Sequence, residues 1–408
     1  MRYRKAFLFT VAVFSLVLVS CSRQVRPSDD TAAVTSDYSS MQSDRDAIHF
    51  VSLCARSEKA IYFTEKIDSQ STYSRIMYYD PGSGMCGPLC DKPECTHEDE
   101  NCNAVFNLDI RAFAYYDGKL YFDLDSYLEK DSKPGRAIYC CDETGNHRKK
   151  LGHAGGEALL KSHESTQGVF HRGKVYYSGA YLEMKDSIPH QGVTVVSYDI
   201  ENPAEEQVVY EQEFLENQSG DIRMQLIQDS LYCMVTTIRN PEAEEAEETY
   251  TLGLYRLNIE NGASETLWSG ETDYIVCDFW VTDNGILLSS GKDGRIFRYD
   301  NAEGKIRLYK DLSELGSYTH AWFSDNLIFS FRMGKTESAM CILDFAGEVL
   351  YNGSREREDY EALRQILCSD QECLYVKYQS MEDPSKESVV SINLHSGERK
   401  ILWTDSIF

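Results

Sequence analysis

Three features are scarce or missing in this 408-residue sequence, and each excludes a class of protein. An apolar run at 6–19 has about fourteen residues, fewer than the roughly twenty that a membrane-spanning helix needs. Positive charge is scarce, with 41 Lys and Arg against 66 Asp and Glu, so the net charge of -25 repels nucleic acid. The sequence contains no nucleophile elbow, phosphate-binding glycine loop or H-E-x-x-H helix, so it offers no catalytic motif.

The N-terminus has the layout of a secretory signal. Arg2, Arg4 and Lys5 precede the apolar run, and a polar segment follows it. The sequence L-V-S-C at 18–21 resembles the bacterial lipobox, in which a small residue precedes the cysteine that receives the lipid. We therefore predict a signal peptide over 1–20 and acyl chains such as palmitate on Cys21. The alternative is a short membrane anchor that ends in an incidental cysteine.

The segment after Cys21 is expected to be a tether. Residues 22–45 are rich in Ser, Asp, Thr and Gln and nearly free of large apolar side chains, so burial cannot offset their ordering entropy. We predict a lipid anchor and flexible tether over 21–48. The protein would then lie on the extracytoplasmic face of the cell membrane, where the lipid is its membrane contact.

A repeated pattern fills the rest of the chain. Its clearest copy reads RAFAYYDGKLYF and then AIYCCDETGNHRKKL, which are strand-like runs separated by tight polar turns. Seven such units of about 51 residues each follow one another, and each indicates a four-stranded antiparallel sheet. We predict an all-β fold, a seven-bladed β-propeller over 49–408, with at most a short helix around 356–365. The alternative is two unrelated β-sandwiches.

The connections within these units divide into two faces. Short turns such as Asn284-Gly285 are expected at one face, while the opposite face receives the longer connections, at 125–136, 184–192, 239–250 and 380–388. Irregular loops on a rigid scaffold are where binding usually occurs, so a binding site is predicted on this long-loop face.

The most distinctive segment, CGPLCDKPECTHEDENCNAVF, carries four cysteines and one histidine: Cys86, Cys90, Cys95, Cys102 and His97. In an exported protein such a group suggests disulfides that staple a loop with little core of its own. A zinc site made from three or four thiolates and His97 is the second interpretation, although the spacing departs from C-x-x-C pairs. Free thiols are the third. Residues 91–103 are almost wholly polar, so we predict a compact cross-linked cluster on the long-loop face, with any metal unknown.

With the D-G-K-L-Y-F turn at 117–122 and this cysteine loop, the chain resembles a family of surface lipoproteins from anaerobic Gram-positive bacteria. Their propellers are likened to that of the prolow-density lipoprotein receptor-related protein. The resemblance covers the repeat region. It implies a propeller and a surface location, and it implies no particular reaction.

The preferred hypothesis is a noncatalytic binding module for an extracellular ligand or protein partner, with no catalytic residue and no cofactor. An extracytoplasmic enzyme such as a carboxylate-based glycan hydrolase is the alternative, because a carboxylate pair can form in the fold without leaving a sequence trace. A structural or assembly scaffold is the second alternative. Convergent carboxylates in a pocket would favour the enzyme, an apolar patch would favour a partner, and a flat acidic face would favour the scaffold.

Overall fold

The computed structural model describes residues 54–67, 73–106, 110–125, 134–162, 167–185, 188–215, 218–239, 249–291, 293–324, 327–356, 360–383 and 386–404. The predicted signal peptide, Cys21 and the tether lie outside these residues, as do residues 240–248 of the connection at 239–250. None of the helices in the described ranges has the length and apolar character needed to cross a membrane.

The described chain forms seven antiparallel sheets, in which the strands pair in chain order except that β5 pairs with β3 in the first sheet. Blades 1 to 3 comprise β1 (Cys54–Arg56), β2 (Ile61–Lys66), β3 (Ser74–Asp80), β4 (Met85–Pro88), β5 (Val105–Phe106), β6 (Phe113–Tyr116), β7 (Lys119–Asp125), β8 (Arg136–Asp142), β9 (Lys149–Ala154), β10 (Gln167–His171), β11 (Lys174–Lys185), β12 (Ile188–Asp199) and β13 (Gln207–Glu213).

Blades 4 to 7 comprise β14 (Gln218–Ile227), β15 (Ser230–Arg239), β16 (Thr249–Asn258), β17 (Ser264–Thr272), β18 (Val276–Thr282), β19 (Gly285–Ser290), β20 (Arg295–Asp300), β21 (Lys305–Asp311), β22 (Trp322–Ser324), β23 (Leu327–Met333), β24 (Glu337–Asp344), β25 (Val349–Glu356), β26 (Tyr360–Ser369), β27 (Cys373–Ser380), β28 (Glu387–Asn393) and β29 (Arg399–Thr404). The predicted seven-bladed β-propeller of four-stranded blades is therefore confirmed.

Burial within each blade follows from radial packing. The second strand of blade 5, β19, is buried along its whole length, whereas the outer strand β21 is exposed or half-buried throughout. The inner strands have neighbouring blades on both faces, so their sequences are nearly continuous apolar runs. The turn before β19 requires glycine, because Gly285 has a φ of +143° and a Cβ there would lie 1.9 Å from the carbonyl oxygen of Tyr299.

The ring closes between blade 7 and blade 1. The Arg56 guanidinium donates a hydrogen bond of 2.8 Å to the carbonyl oxygen of Ser369, and the Lys377 ammonium donates one of 3.2 Å to that of Thr64. Apolar side chains of the two blades share one buried cluster that includes Phe63. The first and last blades therefore pack on each other although each is built from consecutive strands.

At most a short helix was predicted around 356–365, and the described residues there, 356 and 360–365, belong to β25 and β26. Pairing of β26 with β27 shifts register at three points, so its buried side chains do not keep a simple two-residue alternation. The structure instead has short helices in two of the links between blades, Glu157–Lys161 and Ser313–Gly316. Glu206 caps the first of them by accepting hydrogen bonds of 2.9 Å from the backbone N–H groups of Ala158 and Leu159.

Candidate functional site

The cysteine loop is an insertion within the outer strand of blade 1. β4 and β5 both pair with β3, and they flank Ile76 on it. The Leu89 N–H donates to the carbonyl oxygen of Ile76, and the Ile76 N–H donates to that of Ala104, each at 2.9 Å. The chain therefore leaves the strand after Leu89 and re-enters it at Ala104. The loop lies at the outer edge of the blade.

The loop rests on blade 2. The Asn146 side-chain amide, in the turn between β8 and β9, donates a hydrogen bond of 2.7 Å to the Asp91 carboxylate. The amide of Asn103 also contacts Asn146. Gly145 in the same turn has a φ of +79°, and a Cβ there would lie 2.4 Å from the carbonyl oxygen of Leu89. Only glycine allows the turn to pack this closely against the base of the loop.

Four side chains of the loop converge on one point. The Sγ atoms of Cys90, Cys95 and Cys102 and a ring nitrogen of His97 all lie within 4.8 Å of one another. The Nδ1 atom of His97 lies 3.2 Å from the Sγ atom of Cys102. We call this group the Cys3His cluster.

Cys86 is not part of the cluster. It lies on β4 and packs against the apolar core that blades 1 and 7 share, which includes Met77 and Tyr79. Burial raises the pKa of its thiol to about 12, so it stays a neutral apolar group. The twelve cysteines in the described ranges are all unbridged in the structure. The structure therefore brings three of the four predicted cysteines together with His97, and Cys86 lies elsewhere.

Thiols of the cluster differ in their surroundings. Burial raises the pKa of Cys90, but backbone N–H groups of Lys92 and Asn103 donate to its sulfur and outweigh that effect, so the pKa is lowered. Burial raises the pKa of Cys102 to about 12. Desolvation, together with the Arg75 guanidinium, lowers the pKa of His97, which favours the neutral imidazole. A neutral imidazole is the form that binds a metal ion.

His97 is held in an uncommon backbone conformation. Its φ is 60°, in the left-handed region that side chains with a β-carbon rarely adopt. The Arg75 guanidinium donates a hydrogen bond of 3.5 Å to the carbonyl oxygen of His97. Arg75 is itself fixed by two hydrogen bonds of 3.2 and 3.0 Å to the buried Glu65 carboxylate. The left-handed residue therefore has support from blade 1, and local strain of this kind is common at functional sites.

A second candidate surface lies at the tip of blade 3. β11 and β12 form a long hairpin, so the irregular loop expected at 184–192 is wrong for the residues described there. Leu182 and Met184 on β11 are 66% and 63% exposed, and Ile188 on β12 is 55% exposed. Leu182 and Met184 lie on one face of the hairpin, and we call these two residues the hairpin patch. Ile188 pairs with Lys185 and therefore lies on the opposite face. Only the alternation of apolar side chains in YLEMKDSI could have indicated the patch.

The hairpin extends past its neighbouring strands. In the described residues, β10 pairs with β11 as far as Ser178, and β13 pairs with β12 as far as Gly192. Ile188 lies four residues beyond Gly192, which places the tip about 14 Å past the end of that ladder. Leu215, 59% exposed, follows β13 and lies near the base of the hairpin. The patch is therefore at the end of the strands where the second-to-third connections lie.

Buried carboxylates of the described ranges belong to ion pairs in separate blades. Glu65 in blade 1 pairs with Arg75 at 3.0 Å, and Asp123 in blade 2 pairs with Arg136 at 2.7 Å. These two carboxylates therefore neutralise arginines and do not share a site of the glycosidase kind.

Comparison with known proteins agrees with the fold. The chain aligns with a prolyl endopeptidase structure at a TM-score of 0.54 and 12% identity, covering 88% of this chain and 50% of that one. It aligns with an acylaminoacyl peptidase in complex with Z-Gly-Gly-Phe-chloromethyl ketone at 0.51 and 15%, covering 86% and 52%. The chain thus spans about half the length of these structures, and the likeness shows the fold alone. No protein-family model and no curated protein sequence matches it.

Proposed function

We propose that this chain is a membrane-tethered, noncatalytic binding module whose hairpin patch docks on a protein partner. The observation that supports it is the exposure of Leu182 and Met184 on one face of a projecting hairpin, with Ile188 exposed on the other face at its tip. Single exposed apolar residues are ordinary, but a group of large ones at one place often marks an interaction site.

The backbone of the hairpin favours binding. Pairing continues to Lys185 and Ile188 at the tip, so the patch is presented on paired strands. Ordering a loop on binding costs free energy, and an already ordered hairpin avoids part of that cost. Burying each of these side chains would contribute at most about 1.5–3 kcal/mol, so the patch suits an anchor within a larger interface.

The negative charge of the chain indicates what kind of partner surface would be complementary to the hairpin. The net charge of the chain is -25, and Glu213 and Glu211 flank the hairpin base through contacts with His190 and Lys161. A partner with an apolar groove and a basic rim would match both features, and its association rate would fall as salt rises.

The alternatives have less support. A glycan hydrolase needs two cooperating carboxylates, and Glu65 and Asp123 are each neutralised by an arginine. The peptidase activity in the names of the aligned structures does not carry over, because identities of 12% and 15% show only a shared fold. A scaffold with a flat acidic face would not need a projecting apolar hairpin.

Partner binding by the hairpin can be tested by comparing the wild type with two variants. Proteins from the source organism that bind the immobilised wild type are identified. Their affinities are measured for the wild type, for a Leu182→Ser/Met184→Ser variant and for Leu308→Ser. Leu308 is 56% exposed on the outer strand of blade 5, so it is a matched control. We expect roughly tenfold or weaker binding for the double variant only, with an unchanged melting temperature. Equal affinity for all three proteins, or no binding protein at all, would contradict the proposal.

The tether is tested separately. With Cys21 replaced by alanine, the protein should leave the membrane fraction, while the wild type should carry acyl chains on an N-terminal Cys21. Intact-mass analysis of both proteins gives the answer. Acyl chains on the Cys21→Ala variant, or an unmodified Cys21 in the wild type, would reject lipid anchoring and leave the hairpin proposal standing.

A further inference from the structure

We propose that the Cys3His cluster binds one Zn²⁺ ion through the sulfur atoms of Cys90, Cys95 and Cys102 and a ring nitrogen of His97. The proposal concerns the outer edge of blade 1 and is independent of partner binding by the hairpin. It makes the site a structural metal centre that fastens the inserted loop.

Distances in the cluster are close to those of a tetrahedral site. Its four ligand atoms lie within 4.8 Å of one another. With Zn–S bonds of about 2.3 Å, ligand sulfurs stand about 3.8 Å apart, so shifts of about 1 Å at the side chains complete the site. The Nδ1 atom of His97 and the Sγ atom of Cys102, 3.2 Å apart, are already closer than this separation and need only move slightly apart.

The donor atoms select the metal. Three thiolates and an imidazole are the ligands that Zn²⁺ favours, whereas Ca²⁺ and Mg²⁺ favour oxygen. Four protein ligands fill the tetrahedral shell, which is typical of structural zinc and leaves no position for a substrate. The Ala104 N–H also approaches the Cys102 sulfur at 3.4 Å, and such contacts stabilise thiolate charge.

Disulfides fit the arrangement less well. One bridge would use two of the three clustered sulfurs and leave a thiol and an imidazole without a role. Two bridges would need a fourth sulfur, and Cys86 instead packs in the core between blades 1 and 7. One metal ion engages all four convergent groups at once.

The position of the ligands explains what the ion would do. Cys90 follows Leu89, and Cys102 lies two residues before Ala104, so these two ligands stand where the loop leaves and re-enters the outer strand. Between them lies a polar, largely exposed segment with little apolar core. A metal ion at this base would hold the loop closed and keep Asp91 against Asn146 of blade 2.

Metal content provides the first test. The protein is purified under reducing conditions without chelator, and zinc is measured in the wild type, in Cys95→Ser and in Cys86→Ser. We expect about one zinc per chain in the wild type and in Cys86→Ser, and about a tenth of that or less in Cys95→Ser. A wild type without zinc after incubation with Zn²⁺, or equal zinc in all three proteins, overturns the proposal.

Cobalt gives a second readout that does not depend on the stability of one variant. Co²⁺ bound in place of zinc should show the intense visible bands of tetrahedral thiolate coordination. His97→Cys, which keeps four soft ligands, should retain bound metal even if Cys95→Ser fails to fold. Octahedral cobalt spectra in the wild type, or loss of metal from His97→Cys with its β-sheet circular dichroism intact, would contradict the Cys3His assignment.

Discussion

The hydroxyl of Tyr177 donates a hydrogen bond of 2.9 Å to the carboxylate of Asp123, which joins blade 3 to blade 2. Asp123 is fully buried and also accepts hydrogen bonds from the backbone N–H groups of Arg111 and Ala112, each at 2.8 Å. The Arg136 guanidinium neutralises its charge at 2.7 Å. A buried carboxylate is tolerated here because it accepts these four hydrogen bonds, one of them from a cation.

Removing this carboxylate should destabilise the propeller. Asp123→Ala leaves the buried Arg136 guanidinium with only the more distant and more exposed Asp125 carboxylate at 3.9 Å, so we expect a loss of about 3–5 kcal/mol in the free energy of unfolding. Tyr177→Phe, which deletes one hydrogen bond, should lose about 1 kcal/mol. Urea denaturation measures both, with Glu265→Ala as the control because its pair with Arg256 is exposed. Asp123→Ala with the stability of that control would refute the role of the buried network.

Gly285 should tolerate no β-carbon. A Cβ would clash with the Tyr299 carbonyl oxygen at 1.9 Å, and the φ of +143° is unfavourable for alanine. We expect Gly285→Ala to cost about 3 kcal/mol or more in thermal or urea unfolding. Gly304 has a φ of +65°, and a β-carbon there would meet nothing within 4 Å, so Gly304→Ala should cost only about 1 kcal/mol. Equal losses for the two variants would contradict the steric explanation.

Acid should weaken the fold through His320. Desolvation lowers the pKa of this histidine from its usual 6.5, and its ring packs 4.4 Å from that of Trp322. In the unfolded chain His320 is protonated near pH 6.5, whereas in the folded chain it is protonated only at a lower pH. Protonation of His320 therefore favours unfolding. The free energy of unfolding should therefore begin to fall as the pH drops through about 6.5, continue to fall until the pKa of the folded state is reached, and fall less in His320→Gln. The same slope in both proteins would show that other groups cause it.

The propeller could be predicted because its evidence is local. Each unit repeats the same turn chemistry, and turns such as Asn284-Gly285 give the strand order without any distant contact. The cysteine loop was harder to place, because its position depends on β5. This strand has only two residues, and it pairs with residues of β3 that are far from it in the sequence. A pairing this short leaves no pattern in the sequence, so Cys86 could not be separated from the other three cysteines.

Register accounts for the other differences. At most a short helix was predicted around 356–365. Residues 360–365 are strand, and shifts in the β26–β27 pairing accommodate consecutive buried residues there. The hairpin patch was missed because strand length depends on which neighbouring strands continue, and β11 and β12 continue beyond both β10 and β13. Such lengths are a property of the assembled blade.

The most direct test of the central claim places a photoreactive amino acid at Met184 in the producing cells. A matched protein carries it at Leu308, which has similar exposure on another blade. If the hairpin patch docks on a protein partner, illumination should yield one discrete adduct from position 184, and Leu182→Ser in the same chain should reduce its yield several-fold. No adduct from position 184, or the same adducts from both positions, would contradict the account.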